Sequence, residues 1–209
     1  MRAALILAGG KGKRVKGCEK TLFTYQGKSF LEHQIQVLSS VVDEILISCR
    51  DEKQKEYISN MVHLPCAVDK VDGMGPIGGI YASFLEMQSD ICFLVAGDMP
   101  FLHREVISFL FQELERSPSC AGVVPCWLNE NLEPLHAVYR KEDVLSYLTE
   151  NKDIRKMHTL LSHLPMRYIS VESLRIYDPK LRFLINVNTH EDLYSLDSYS
   201  HNGLGGSIL

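Results

Sequence analysis

No stretch of the 209 residues approaches the roughly 20 apolar positions that a membrane-spanning helix requires. A secretory leader is not expected either, because Arg2 is the only charge before the apolar run 3–8, which stops at Gly9-Gly10 and is too short for one. The six cysteines (Cys18, Cys49, Cys66, Cys92, Cys120 and Cys126) form no C-x-x-C pair, and the histidines lack paired metal-ligand spacing, which argues against zinc. Four of these cysteines lie in or beside apolar runs, so buried reduced thiols in a soluble, cytoplasmic protein are expected. Positive charge is not in excess either: 22 Lys and Arg stand against 26 Asp and Glu, a formal net charge of -4. Nothing in that balance recruits nucleic acid or an anionic membrane, and any basic function must be local. With no low-complexity linker or internal repeat and 45% hydrophobic residues, the chain is expected to form one domain over 1–209.

What is present is an alternation of strand and helix signals. The continuous apolar runs 3–8 and 91–97 have the character of strands covered on both faces, and 44–49 and 66–69 are further strands. Helices are predicted over 29–42, with Ser29 as N-cap, over 52–62, in the later part of "GMGPIGGIYASFLEMQ" (73–88), and at about 103–116. This order predicts a Rossmann-like α/β fold: a doubly wound, mostly parallel sheet flanked by helices. Such sheets bind ligands beyond the carboxyl ends of their strands, so Ala8-Gly9-Gly10 and Gly97-Asp98 should share one edge. The second half is less regular. Short strands are predicted at 120–126, 135–140, 167–171 and 183–188, helices at 141–150 and 153–163, a last helix after Thr189, and a frayed tail at 198–209. The regular half thus runs over about 1–116 and the less regular one over about 117–197.

"LILAGGKGKRVKGCEK" (5–20) concentrates five basic side chains just past the first strand: Lys11, Lys13, Arg14, Lys16 and Lys20. Glycines there let backbone N–H groups approach an anion. Neither familiar phosphate template fits: G-x-G-x-x-G meets Val15 where glycine belongs, and the P-loop meets Cys18 and Glu19 where Lys and Ser/Thr belong. A solvated turn is the other local reading, and location beside the strand end favours a polyphosphate. Asp98, ending a very apolar strand, can hold Mg²⁺ against phosphates or simply open a turn before Pro100.

The stretch resembles the nucleotidyltransferase signature L-A-G-G-x-x-x-R-M-G-G-x-D-K, with Arg14 and Lys20 at the matching positions. "GPIGGI" (75–80), "LVAGDMPFL" (94–102) and "FLINVNTHEDL" (183–193) resemble three further motifs of the molybdenum cofactor guanylyltransferases. The resemblance implies a sheet of the nucleotide-diphospho-sugar transferase type and an enzyme that moves GMP from GTP to the terminal phosphate of molybdopterin cofactor. By the same resemblance Leu7, Ala8, Gly9, Gly10, Lys20, Ser48, Asp69, Gly78 and Asp98 would bind nucleotide. Arg14, Lys20 and Asp98 would act in catalysis, with Asp98 holding Mg²⁺, while His136, Asn186 and Asn188 would meet the acceptor. Read locally, Ser48 is equally a strand-end serine, His136 a satisfied core histidine, and Asn186 and Asn188 two amides on one side of a strand. Molybdoenzymes or their chaperones would receive the product. Val15, Lys16 and Glu19 depart from the signature's Met, Gly and Asp. A relative using CTP or another NTP with a sugar, methylerythritol or cobinamide phosphate, and a noncatalytic nucleotide-binding accessory protein, are the rival readings.

Overall fold

The computed structural model describes residues 1–9, 20–69, 75–189 and 192. Strand β1 (Arg2–Leu7) shows why the chain layers as it does. Successive side chains of a strand point to opposite faces. Ala4 and Ile6 enter one hydrophobic cluster and Ala3 and Leu5 the other, all four fully buried. A strand wetted on neither side must be covered twice, and helices do so.

One face carries α1 (Phe30–Leu38), α2 (Glu52–Val62) and α4 (Arg104–Glu115); the other carries α3 (Pro76–Glu86), α5 (Lys141–Glu150) and α6 (Met157–Leu161). In α4 the buried positions Val106, Ile107, Leu110, Phe111 and Leu114 repeat at helical spacing, which leaves Arg104, Glu105 and Glu115 exposed, while buried Glu113 is paired with Arg167. Helix α1 begins at a capping box. The Glu32 N–H donates to Ser29 Oγ at 3.2 Å, and the Ser29 N–H donates to Glu32 Oε2 at 2.7 Å. It ends at Leu38 rather than running to 42, because the Ser39 and Ser40 hydroxyls turn back to the carbonyls of Ile35 and Val37.

The remaining strands are β4 (Glu44–Cys49), β5 (Cys66–Val68), β6 (Ile91–Ala96), β7 (Gly122–Cys126), β8 (His136–Arg140) and β9 (Met166–Ser170), besides a small hairpin of β2 (Thr24–Tyr25) and β3 (Lys28–Ser29). Among the described residues the main sheet has seven strands in the order β5-β4-β1-β6-β8-β7-β9. β1 pairs parallel with β4 on one side and with β6 on the other, Leu7 standing beside Ser48 and Ala96. β8 alone runs against its neighbours, antiparallel to both β6 and β7. The result is the expected helix-flanked, mostly parallel α/β sheet.

Two expected elements differ. Residues 183–188 are not a strand: Arg182–Leu184 form a 3-10 turn, and Val187 packs with Phe23, Tyr25 and Phe30 in a third cluster instead of pairing. The helix expected over 153–163 shortens to α6, because the Ile154 N–H closes a turn on the Asn151 carbonyl. The last helix after Thr189 and the tail fall outside the described residues beyond Asp192, although Thr189 and Asp192 make reciprocal capping bonds.

Cys49, Cys66 and Cys92 are buried, Cys120 and Cys126 partly so, and all five are free thiols; Cys18 lies outside the described residues. No described helix is long and apolar enough to cross a membrane.

Candidate active site

The carboxyl ends of β5, β4, β1 and β6 lie side by side, and the loops leaving them build the site. Past Leu7 the chain stays tied to β4: the amides of Ala8 and Gly9 both donate to the Ser48 carbonyl, at 2.9 and 3.1 Å. Gly9 has to be glycine. A Cβ there would stand 2.8 Å from the Arg50 nitrogen and 3.1 Å from the carbonyl carbon of Cys49, both rigid backbone. Gln54, only 4% exposed, clasps the same junction, its Nε2 donating to the Ala8 carbonyl at 3.1 Å while its Oε1 accepts from the Arg50 N–H at 2.6 Å. The backbone at the end of β1 is therefore held by β4 and α2.

The start of α3 comes into the same space. Pro76 occupies its first position behind Gly75, a glycine with φ +58°, and no side chain caps the helix. Asp69 leaves β5 with its N–H on the Cys49 carbonyl, and its carboxylate lies against the first turn of α3. A Cβ on Gly78 would be 2.5 Å from both carboxylate oxygens. The positive end of the helix favours a carboxylate placed there. One residue further, a Cβ on Gly79 would collide with the Ser48 hydroxyl. Ser48, Asp69 and Gly78, predicted separately, thus form one wall with Leu7, Ala8 and Gly9. Gly79 was not singled out from the sequence, where it is one more glycine in "GPIGGI".

At the end of β6 the Gly97 N–H donates to the Leu7 carbonyl at 3.1 Å, and its Cα faces Thr21, whose methyl fills the room a Cβ would need. Thr21 is buried, and its hydroxyl has no partner among the described residues. The turn Ala96–Met99 then presents Asp98, half-buried, at the sheet edge. Its carbonyl accepts from the Val187 N–H at 2.8 Å, which brings 185–188 alongside, with Asn186 and Asn188 exposed on either side of buried Val187. Both asparagines therefore flank the residue bonded to Asp98, on a segment outside the sheet rather than on the expected strand.

His136 goes elsewhere. It stands opposite Val95 on β8, fully buried, its ring 4.9 Å from those of Phe93 and Phe183. Neither ring nitrogen has a partner among the described residues, and burial pushes its pKa down to about 3, so the imidazole is neutral. This is a core histidine, and the acceptor contact expected of it is corrected accordingly. Gly10, Arg14, Val15, Lys16 and Glu19 lie outside the described residues; Lys20 opens the 3-10 turn Lys20–Leu22.

Among the described residues no three His, Cys, Asp or Glu side chains cluster as a metal cage. Asp98 is a single carboxylate at the carboxyl edge of the sheet. Mg²⁺ suits such a site, since it keeps several waters and binds through one or two carboxylates plus substrate phosphates.

Residues 4–166 match the family model described as the MobA-like NTP transferase domain. A Methanosarcina mazei protein named probable molybdenum cofactor guanylyltransferase is 34% identical over 214 residues, covering 98% of this chain and 93% of the relative. The crystal structure of molybdopterin-guanine dinucleotide biosynthesis protein A from Archaeoglobus fulgidus superposes with a TM-score of 0.80 at 33% identity, over 97% of this chain and 100% of that one. A CMP:2-keto-3-deoxy-manno-octonic acid synthetase, solved with CTP, has a TM-score of 0.69 over 97% and 99% of the two chains, and at 12% identity it shows the shared fold alone.

Proposed function

The chain belongs to the MobA-like NTP transferase family, and we propose that it transfers GMP from GTP to the terminal phosphate of molybdopterin cofactor in the cytoplasm. A phosphate oxygen of the acceptor attacks the α-phosphorus of GTP, the bond from that phosphorus to the α,β-bridging oxygen breaks, and pyrophosphate departs with the electron pair. The nucleophile is a phosphate monoester with a second pKa of about 6, already largely ionised at neutral pH, so no protein base is required. The product, a guanine dinucleotide cofactor, then passes to molybdoenzymes or their chaperones.

The protein's part is positioning and charge neutralisation. The backbone from Leu7 to Gly10 and the start of α3 at Gly78 receive the nucleotide, with Ser48 and Asp69 forming the wall beside it. Arg14 and Lys20 neutralise charge on the α-phosphate and the leaving pyrophosphate. Asp98 holds Mg²⁺, which when bound offsets phosphate charge. Asn186 and Asn188 face the acceptor, drawn to the edge by the bond from Val187 to Asp98.

The convergence of Leu7–Gly9, Ser48, Asp69, Gly78 and Asp98 on one sheet edge carries this reading. Pyrophosphate release tests it, with GTP, CTP, UTP and ATP each paired with molybdopterin or with sugar, methylerythritol and cobinamide phosphates. Release with GTP and molybdopterin is expected. Release with CTP or UTP but not GTP overturns the base choice, and GTP binding without release on any acceptor makes the protein a noncatalytic binder. Asp98→Ala should lower turnover by about a hundredfold or more. Its melting temperature should barely move, because the carboxylate is half-buried and outside the apolar clusters.

A further inference from the structure

We infer that Gln34 is a positioning residue that sets the Asp98 carboxylate at the active edge, an inference that rests on the metal-binding role proposed for Asp98. Gln34 lies in α1, fully buried on the face of the sheet that α1 shares with α2 and α4. Its Nε2 donates to the Ala96 carbonyl at 2.8 Å and to the Met99 carbonyl at 3.0 Å. Those two carbonyls bracket Asp98, two residues before it and one after it. A single amide therefore spans the turn that presents the carboxylate and ties it to a helix. Backbone bonds hold the turn from other sides: the Met99 N–H reaches back to Ala96, the Gly97 N–H reaches Leu7, and the Asp98 carbonyl accepts from Val187.

The other end of the amide argues that the purpose is geometric. Gln34 Oε1 is buried with no partner among the described residues. A buried acceptor left unpaired is a penalty that an apolar side chain of the same size would avoid. In a helix face otherwise filled by Phe30, Leu31 and Leu38, the amide detracts from packing and gains only the two donated bonds. Those bonds fix a turn whose side chain must meet phosphate and metal, where errors beyond about 0.5 Å weaken function. Helix α1 also follows the 3-10 turn that starts at Lys20. Gln34 thus ties the turn carrying the carboxylate to helix α1.

Gln34→Met keeps size and loses both donors. In the protein without ligand, hydrogen exchange at the Met99 amide should accelerate about tenfold or more, while amides in the centre of β1 keep their protection. With GTP present, Mn²⁺ binding followed by electron paramagnetic resonance should weaken about tenfold, and the melting temperature should stay within about 4 °C of wild type. Placed in an Asp98→Asn background, the same substitution should cost no further Mn²⁺ affinity, since its effect passes through that carboxylate. Unchanged Met99 exchange, or an equal loss of Mn²⁺ affinity in the Asp98→Asn background, overturns the inference. Wild-type protein that fails to bind Mn²⁺ with GTP overturns the metal role of Asp98, and the exchange measurement still decides whether Gln34 holds the turn. If Gln34→Met does not fold, Gln34→Leu carries the same two expectations.

Discussion

Replacing His136 by leucine should change how stability responds to acid. The folded imidazole is driven to a pKa of about 3 by burial, against 6.5 for the free side chain. Between those values the unfolded chain binds a proton that the native protein refuses. Stability contributed by neutral His136 is therefore complete above pH 6.5 and is lost as pH falls toward 3. The slope approaches about 1.4 kcal/mol per pH unit between the two values, so lowering pH from 6.5 to 4.5 costs about 2 kcal/mol from this one residue. Carboxylates add their own dependence, which a difference measurement removes. Urea unfolding of wild type and His136→Leu at half-unit steps from pH 7 to 4 should give curves that diverge by about that amount. At pH 7 the variant should be as stable as wild type or more so, because leucine brings no unpaired ring nitrogens into the core between Phe93 and Phe183. Parallel curves would refute the neutral, unpartnered histidine described above.

Two glycine substitutions separate the site from the scaffold. Gly78→Ala puts a methyl 2.5 Å from the Asp69 carboxylate, a short side chain that can swing aside, so the KM for nucleotide should rise about tenfold while the melting temperature holds, as kinetics and a thermal scan would show. Gly97→Ala drives a methyl into Thr21 and within 3.1 Å of the Leu7 carbonyl, so it should destabilise the protein by about 1–3 kcal/mol in denaturant unfolding.

The sheet was readable where burial is two-sided. Runs such as 3–7 and 91–96 are apolar throughout because helices cover both faces, and Arg2 and Asp90 mark where they begin. The extended segment 185–188 deceived the same reasoning: Ile185 and Val187 alternate with asparagines as in a strand, yet what buries Val187 is the aromatic cluster of Phe23, Tyr25 and Phe30. Strand direction was not legible either, since a period of two is common to parallel and antiparallel pairing, and nothing in "LHAVYR" announces reversal. At the site, Ser48, Asp69 and Asp98 were found because strand ends on an α/β sheet face one edge. Gln34 and Gln54 were missed because a glutamine within an amphipathic helix looks like solvent-facing surface until the carbonyls it meets, from residues 46 to 65 positions away, are in place.

The reversal at β8 also bears on how such a chain can change its acceptor. β8 begins where β6 ends, the Ala96 N–H donating to the Leu135 carbonyl, so the connection 127–135 from β7 arrives at the carboxyl end of β6. That connection is fastened at its base, Trp127 Nε1 donating to Glu133 Oε1 at 2.7 Å, while Leu128 at its tip is 85% exposed. Lengthening or shortening the tip would leave β1, β4, β5 and β6 in their register. Under the proposed function, the strands that hold the nucleotide would thus be independent of this rim, and changes confined to the rim could alter what enters beside them.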